Sequence, residues 1–478
     1  MADPMSSAVS QVQGDYPNTK DGGATVDVEK TQPPSESPGG DYSDRPTEGH
    51  LERWNQSRSN IYRFFFTLYG FGIMGMNDAV LGALIPYIET HYDISYTVVS
   101  LLFLAPFVGY VSAGLLNNII HHKFGQFGVA VIAPTCRILG YIALALHPPY
   151  AALPIVALLP GFGNGLEDSA WNAWVGHMHQ ANELLGVLHG AYGMGGTIAP
   201  LIASAMITKA HLEWYAFYYI MVGMSGLELV TGIWAFWGAN GAAHREATRA
   251  TAGQGRTTTR RVLREPITWV LAFFLLFYVG AEVSLGGWVV TFMLRVRHAD
   301  PFLAGITVTL FWLGITLGRL ILGFVTGRVG EKLAITAYLA LCVVLELLYW
   351  FVPHFAAAAV FIVFLGFFLG PLFPAAVIVA TKVLPKDYHV SAIGFAASFG
   401  GGGAAVLPFA VGAIAQKKGV EVLQPIILAV LVVLILLWLL LPGGMKRGDL
   451  ERAGRNREGL GSEFVRGYRW LRGRFERR

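Results

Sequence analysis

The chain has 478 residues, of which 54% are hydrophobic and only 14% charged. Soluble proteins carry about 25% charged residues, because their surfaces must be solvated, so a soluble globular protein of this length is excluded. The net charge of +4 is modest, and its basic clusters flank apolar segments, which reports membrane orientation rather than nucleic-acid binding.

Residues 1–60 are polar and rich in Ser, Pro, Gly and Asp, the composition of a disordered tail. No secretory signal peptide opens the chain, so the first apolar helix is the expected insertion signal. Apolar runs long enough to cross a hydrocarbon core, roughly 20 residues, then recur at short intervals. They cover 61–87, 96–120, 129–147, 151–176, 184–207 and 214–239. After a basic linker, 240–266, come 267–294, 302–327, 333–351, 356–381, 390–415 and 422–441. The expected fold is an all-α membrane protein of about twelve transmembrane helices in two six-helix bundles, 61–239 and 267–441. A basic tail, 442–478, follows, with 11 Lys/Arg against 5 Asp/Glu from Lys446 onward. An even number of crossings puts both termini and the linker on one side, and the arginines mark that side as cytoplasmic. Arg295 and Arg297 fall on the other side and dissent. A plasma-membrane monomer is expected, rather than one in a vacuolar or other internal membrane, and the basic tail can touch anionic lipid headgroups.

The two sets of six repeat each other. Gly161 and Gly165 in the fourth crossing match Gly366 and Gly370 in the tenth. Glycine runs at 193–196 and 400–403, each followed by a proline (Pro200, Pro408), match between the fifth and the eleventh. Homologous halves imply a solute site between them, opened alternately to each face. Most of these glycines are expected to serve tight helix packing.

Acidic residues at mid-membrane depth are costly and rarely persist without a task. Asp78, beside Asn77, lies near the middle of the first crossing, and Glu167 and Asp168 lie deep in the fourth. Glu282, Glu346 and Glu228 lie in the seventh, ninth and sixth. Low-dielectric surroundings favour the neutral form of a carboxyl, so Asp78, Asp168, Glu167 and Glu282 are candidates to take up and release a proton. The competing reading is fixed ion pairing with Arg137 or Arg319, which are also intramembrane. Matching Gly161 to Gly366 sets Asp168 opposite Phe373 and Glu167 opposite Leu372. The second half does without acids there, which places proton handling in the first. Asn77, Asn164, Asn172, His189, Tyr192, Tyr278, Trp288 and Trp312 are candidate solute contacts, through hydrogen bonds to hydroxyls and stacking on an apolar ring face.

The two cysteines, Cys136 and Cys342, sit inside apolar segments, so no disulfide framework is indicated. No metal-ligand spacing, covalent-catalysis constellation or Walker-type loop occurs, so neither an enzyme nor a cofactor is expected.

The layout resembles the major facilitator superfamily, with Arg328-Val-Gly330 similar to its cytoplasmic loop signature. Within it, the chain is similar to the fucose–proton symporter branch and related fungal proteins of uncertain substrate. Met76-Asn77-Asp78-Ala79-Val80-Leu81, Gly165-Leu-Glu-Asp168-Ser-Ala-Trp-Asn172, Tyr278-Val-Gly-Ala-Glu282 and Gly318-Arg319 carry the likeness. The resemblance implies proton coupling and sugar binding at Asp78 and Asp168, and sugar contacts at His189 and Tyr192. Those last two stand where the branch has Gln and Asn, and Asn117-Asn118 with His121-His122-Lys123 stand where the superfamily's first cytoplasmic loop has an Asp-Arg pair. The expected function is secondary active, proton-coupled uptake of a small polar solute such as a sugar. The alternatives are proton-antiport efflux of a metabolite or toxic compound, and a non-transporting nutrient receptor.

Overall fold

The computed structural model describes residues 52–250, 259–385 and 388–455. The expected disorder of the N-terminal tail and most of the basic C-terminal tail fall outside these residues. Among the described residues the regular structure is helical.

Helix α1 (Arg58–Tyr92) starts on a Ser57 cap, whose hydroxyl accepts from the Asn60 N–H. Helix α2 (Leu101–Ala145) has 45 residues, twice what one crossing needs. It turns at Gly125, where φ is 70° and a Cβ would lie 2.4 Å from backbone atoms of Ala239 and Asn240. The two arms of α2 are therefore the second and third crossings. Helices α3 (Ala152–Gly176), α4 (Ala181–Thr208) and α5 (Phe217–Phe236) complete the first half. The second half contains α6 (Pro266–Arg295), α7 (Pro301–Val329) and α8 (Glu331–Phe351). It continues with α9 (Phe355–Leu369), α10 (Leu372–Val383), α11 (His389–Lys418) and α12 (Leu423–Leu440). Helices α9 and α10 are one crossing interrupted at Gly370-Pro371. Twelve crossings result among the described residues, with the start of α1, the linker and the end of α12 on one face, called here the termini face. Ten described spans are long and apolar enough to cross by length and composition. Helix α3 is not one of them, because Asn164, Glu167 and Asp168 lower its hydropathy.

The sequence duplication reappears in the packing. A Cβ on Gly161 of α3 would meet Pro106 O of α2 at 2.1 Å, and one on Gly366 of α9 would meet Phe311 O of α7 at 2.4 Å. Backbones this close exclude every side chain but hydrogen. The glycines expected to serve packing do so in both halves.

Contacts between the halves gather at the face opposite the termini. There a Cβ on Gly82 of α1 would lie 1.9 Å from Gly286 O of α6, and one on Gly305 of α7 would lie 2.0 Å from Ser204 Oγ of α4. Gln416 accepts from the Tyr96 N–H (2.8 Å), and Arg295 faces Glu89 at 3.7 Å. Nearer the middle, Gly193 and Gly196 of α4 rest on Thr316 and Trp312 of α7. Toward the termini face, Gly190 touches Leu320 loosely and His189 faces Phe373 with ring centroids 6.4 Å apart.

One ionic cluster ties the first half together. Arg137 on α2, Glu167 on α3 and Glu228 on α5 have no solvent-accessible side-chain surface. The guanidinium pairs with Glu167 and bonds Glu228 at 3.0 Å.

Two outcomes follow from this packing. Leucine at Gly82 has no space while the opposite face is shut. With Cys136 and Cys342 replaced, short-reagent cross-linking of cysteines at positions 89 and 295 is expected to fall severalfold in Gly82→Leu. Removing one member of the Arg137 cluster strands a buried charge, at a cost of about 3–5 kcal/mol. Arg137→Gln should therefore lower the thermal midpoint in detergent more than the triple change Arg137→Met, Glu167→Gln, Glu228→Gln.

Candidate functional site

Helix α1 is pinned on two sides, by α4 at Gly75, where a Cβ would meet Tyr192 O at 1.9 Å, and by α6 at Gly82. Asp78 lies between these pins. It is deep along the helix yet solvent-exposed, so its carboxylate faces open space where the halves meet. Three neutral donors hold it. Asn77 Nδ2 (2.9 Å) and Asn164 Nδ2 (3.2 Å) donate to Oδ1, and the Tyr192 hydroxyl donates to Oδ2 (3.0 Å). Asn77 in turn accepts from the Tyr141 hydroxyl at 3.0 Å.

Asp168, half-buried on α3, has a separate shell. The Tyr110 hydroxyl donates to Oδ2, and Asn172 Nδ2 donates to Oδ1 at 2.8 Å and to the Asp168 carbonyl at 2.9 Å. His189 Nε2 lies 3.1 Å from Asn172 Oδ1. An amide oxygen only accepts, so Nε2 carries the proton of this bond. The imidazole is flanked by Phe71 and Phe373. A polar chain thus runs Tyr110–Asp168–Asn172–His189 across α2, α3 and α4.

The second half brings a different set. Arg319 of α7 bonds both oxygens of Glu282 on α6, at 2.9 and 3.3 Å, and reaches the Tyr278 hydroxyl at 3.5 Å. Trp312 is buried between Gly196 and Gly286, meets Tyr192 edge-on at a centroid distance of 6.4 Å, and has no partner for its indole N–H. Asp78, its three donors and Trp312 therefore converge across the interface through Tyr192.

The candidates do not all converge. Glu167 is in the Arg137 cluster, away from open space, and Glu282 is held by Arg319. Trp288 donates to Pro408 O at 2.9 Å and packs on Tyr96 and Phe103, in the seam at the opposite face. Tyr110 and Tyr141 escaped the sequence reading. Tyr110 adjoins Gly109, whose contact with Leu158 O turns this stretch of α2 toward α3, and that pairing was the available signal. Among the described residues no group of three His, Cys, Asp or Glu could hold a metal ion.

The family model described as Major Facilitator Superfamily matches residues 67–298 and 282–471. The chain is 32% identical over 408 residues to Bypass of stop codon protein 6 of Saccharomyces cerevisiae, covering 79% of this chain and 81% of that protein. It is 23% identical to the Glucose/mannose transporter GlcP of Bacillus subtilis, covering 73% of this chain and 86% of the relative. A Glucose/galactose transporter of Brucella abortus is 26% identical, over 80% of this chain and 95% of that one. In fold, the chain is similar to a bacterial homolog of the human lysosomal transporter Spinster in its inward-facing and occupied conformation. That likeness has a TM-score of 0.62 at 11% identity and covers 80% and 97% of the two chains. The chain belongs to the Major Facilitator Superfamily, a family of multi-pass membrane transporters and not of enzymes.

Proposed function

We propose that this transporter couples uptake of a small polar organic solute, a sugar or sugar derivative, to proton entry. One observation carries the reading. The intramembrane arginines are taken by glutamates, the fully buried Arg137 by Glu167 and Glu228 and the partly buried Arg319 by Glu282. Asp78 and Asp168 are held only by neutral donors. A nearby guanidinium favours the anionic carboxylate, and protonating its partner would leave the buried cation unpaired, whereas a carboxyl held by amides and hydroxyls can accept a proton without that cost.

In the mechanism, Asp78 takes up a proton while the site is open to the face opposite the termini. Solute hydroxyls then exchange with Asn77, Asn164 and Tyr192, and the apolar face of the ring rests on Trp312. Reorientation to the arrangement described above opens the site to the termini face, where solute and proton leave. The Asp168–Asn172–His189 chain supplies the second titratable site. Glu167 and Glu282 act in this reading through the arginines they bond. The names of the bacterial relatives support a sugar. The basic linker residues Arg245, Arg261 and Arg264 support a cytoplasmic termini face, and we place the protein, as a monomer, in the plasma membrane.

Proteoliposomes loaded with buffer and offered labelled D-glucose test this. Acid on the face opposite the termini should drive accumulation in the wild type. Asp78→Asn and Asp168→Asn should lose gradient-driven accumulation and keep glucose exchange. Uptake indifferent to the gradient, or unchanged in both variants, would overturn proton coupling, and gradient-driven loss of preloaded glucose would reverse the direction. Trp312→Ala should raise the glucose KM about tenfold, the equivalent of ~1.4 kcal/mol, while Trp312→Phe should change it far less.

A further inference from the structure

Inside the first half lies a second space, which shares only Asn77 with the solute contacts proposed above. A cavity of about 50 Å³ is lined by Asn77, Leu102, Leu153, Ala157, Ile88 and Trp214, among others. It runs from Asn77, at the depth of Asp78, toward the opposite face, where Trp214 begins the last crossing of this half. A buried water needs about 10–15 Å³ of such space, so the cavity has room for a few waters and none for a sugar. Its two ends are polar. Trp214 is 2% exposed and its indole N–H has no protein partner, so the wall offers an unused donor. Beyond Trp214 stand His91, with ring centroids 6.1 Å apart, and Glu213, 3.8 Å from His91 Nδ1.

We infer that this cavity is a solute-excluding water path by which Asp78 exchanges protons with the face opposite the termini, and that Asn77 is its stop. Proton relay requires atoms that donate and accept at the same site, as hydroxyls and waters do. An amide donates from nitrogen and accepts at oxygen. Asn77 turns its Nδ2 to Asp78 and its Oδ1 to Tyr141, so it interrupts the relay between cavity and carboxylate. The interruption matters in this arrangement, where Asp78 is already open to solvent between the halves. A continuous path would leak protons across the membrane without solute. Turning the Asn77 side chain aside connects the path without moving a helix. A hydronium in the cavity then gives its proton to the Asp78 carboxylate and remains as water. The other ionisable groups within electrostatic reach of Asp78 are Asp168 on α3, Tyr110 and Tyr141 on α2, and Tyr192 on α4. Tyr192 is also within reach of Glu282 on α6 and Arg319 on α7.

This inference rests on the proton reading of Asp78, but its test needs no solute. Proteoliposomes containing a trapped pH dye, with a valinomycin-clamped potential, report proton leak directly. Wild type should be tight. Asn77→Ser, which places a hydroxyl at the stop, should leak roughly tenfold faster, and Asn77→Ser with Ala157→Phe, which fills the cavity, should return to the wild-type rate. A tight Asn77→Ser protein, or a leak that survives Ala157→Phe, would overturn the path. Asn77→Thr serves as the second hydroxyl variant should the serine protein fail to purify as a monodisperse species. Gradient-independent glucose uptake by wild type would sink the proton reading instead, a result that the leak assay distinguishes.

Discussion

A guanidinium in a hydrocarbon interior has to be neutralised by carboxylates delivered from neighbouring helices, because no water is there to do it. That requirement organises both halves of this transporter. Arg137 draws α3 and α5 against α2 through Glu167 and Glu228, and Arg319 draws α6 against α7 through Glu282. Three of the acids buried along the crossings are thereby committed. Asp78 and Asp168 are instead supported by amides and phenols, and Glu346 on α8 lies fully buried with no protein hydrogen-bond partner among the described residues.

Much of the fold could be read from residues in order. Apolar runs set the crossings, and the glycine pairs 161/165 and 366/370 disclosed the duplication because close helix approach permits nothing larger at those positions. The interruption at Gly370-Pro371 was not apparent, since the run 356–381 is apolar throughout and hydropathy does not register a change of backbone direction. For the site, composition singled out the acids and arginines but could not assign partners. Adjacent residues such as Glu167 and Asp168 point to different sides of α3, and only the packing shows that one meets Arg137 and the other Tyr110. Trp288 and Trp312 were equivalent as letters. One is spent on Pro408 in the seam, while the other keeps a free indole N–H beside Tyr192.

The first half carries Asp78 and Asp168, the chain through His189 and the internal cavity. The second half contributes Trp312 and the Glu282–Arg319 pair. Duplication supplied two similar scaffolds, and the side chains then diverged. Tyr192 is the residue that touches both sets, bonding Asp78 and meeting the Trp312 ring.

The seam at the opposite face has a further consequence. Its closest approaches are backbone against glycine, Gly82 on Gly286, and glycine against a small side chain, Gly305 on Ser204. Among the described residues the one ion pair across that seam, Glu89 with Arg295, is half-exposed on its arginine side and contributes little. Dispersion between close-packed atoms is indifferent to ionic strength and to the composition of the bathing medium. Closure at this face therefore rests on packing more than on charge, and is expected to hold in dilute and in salty surroundings alike.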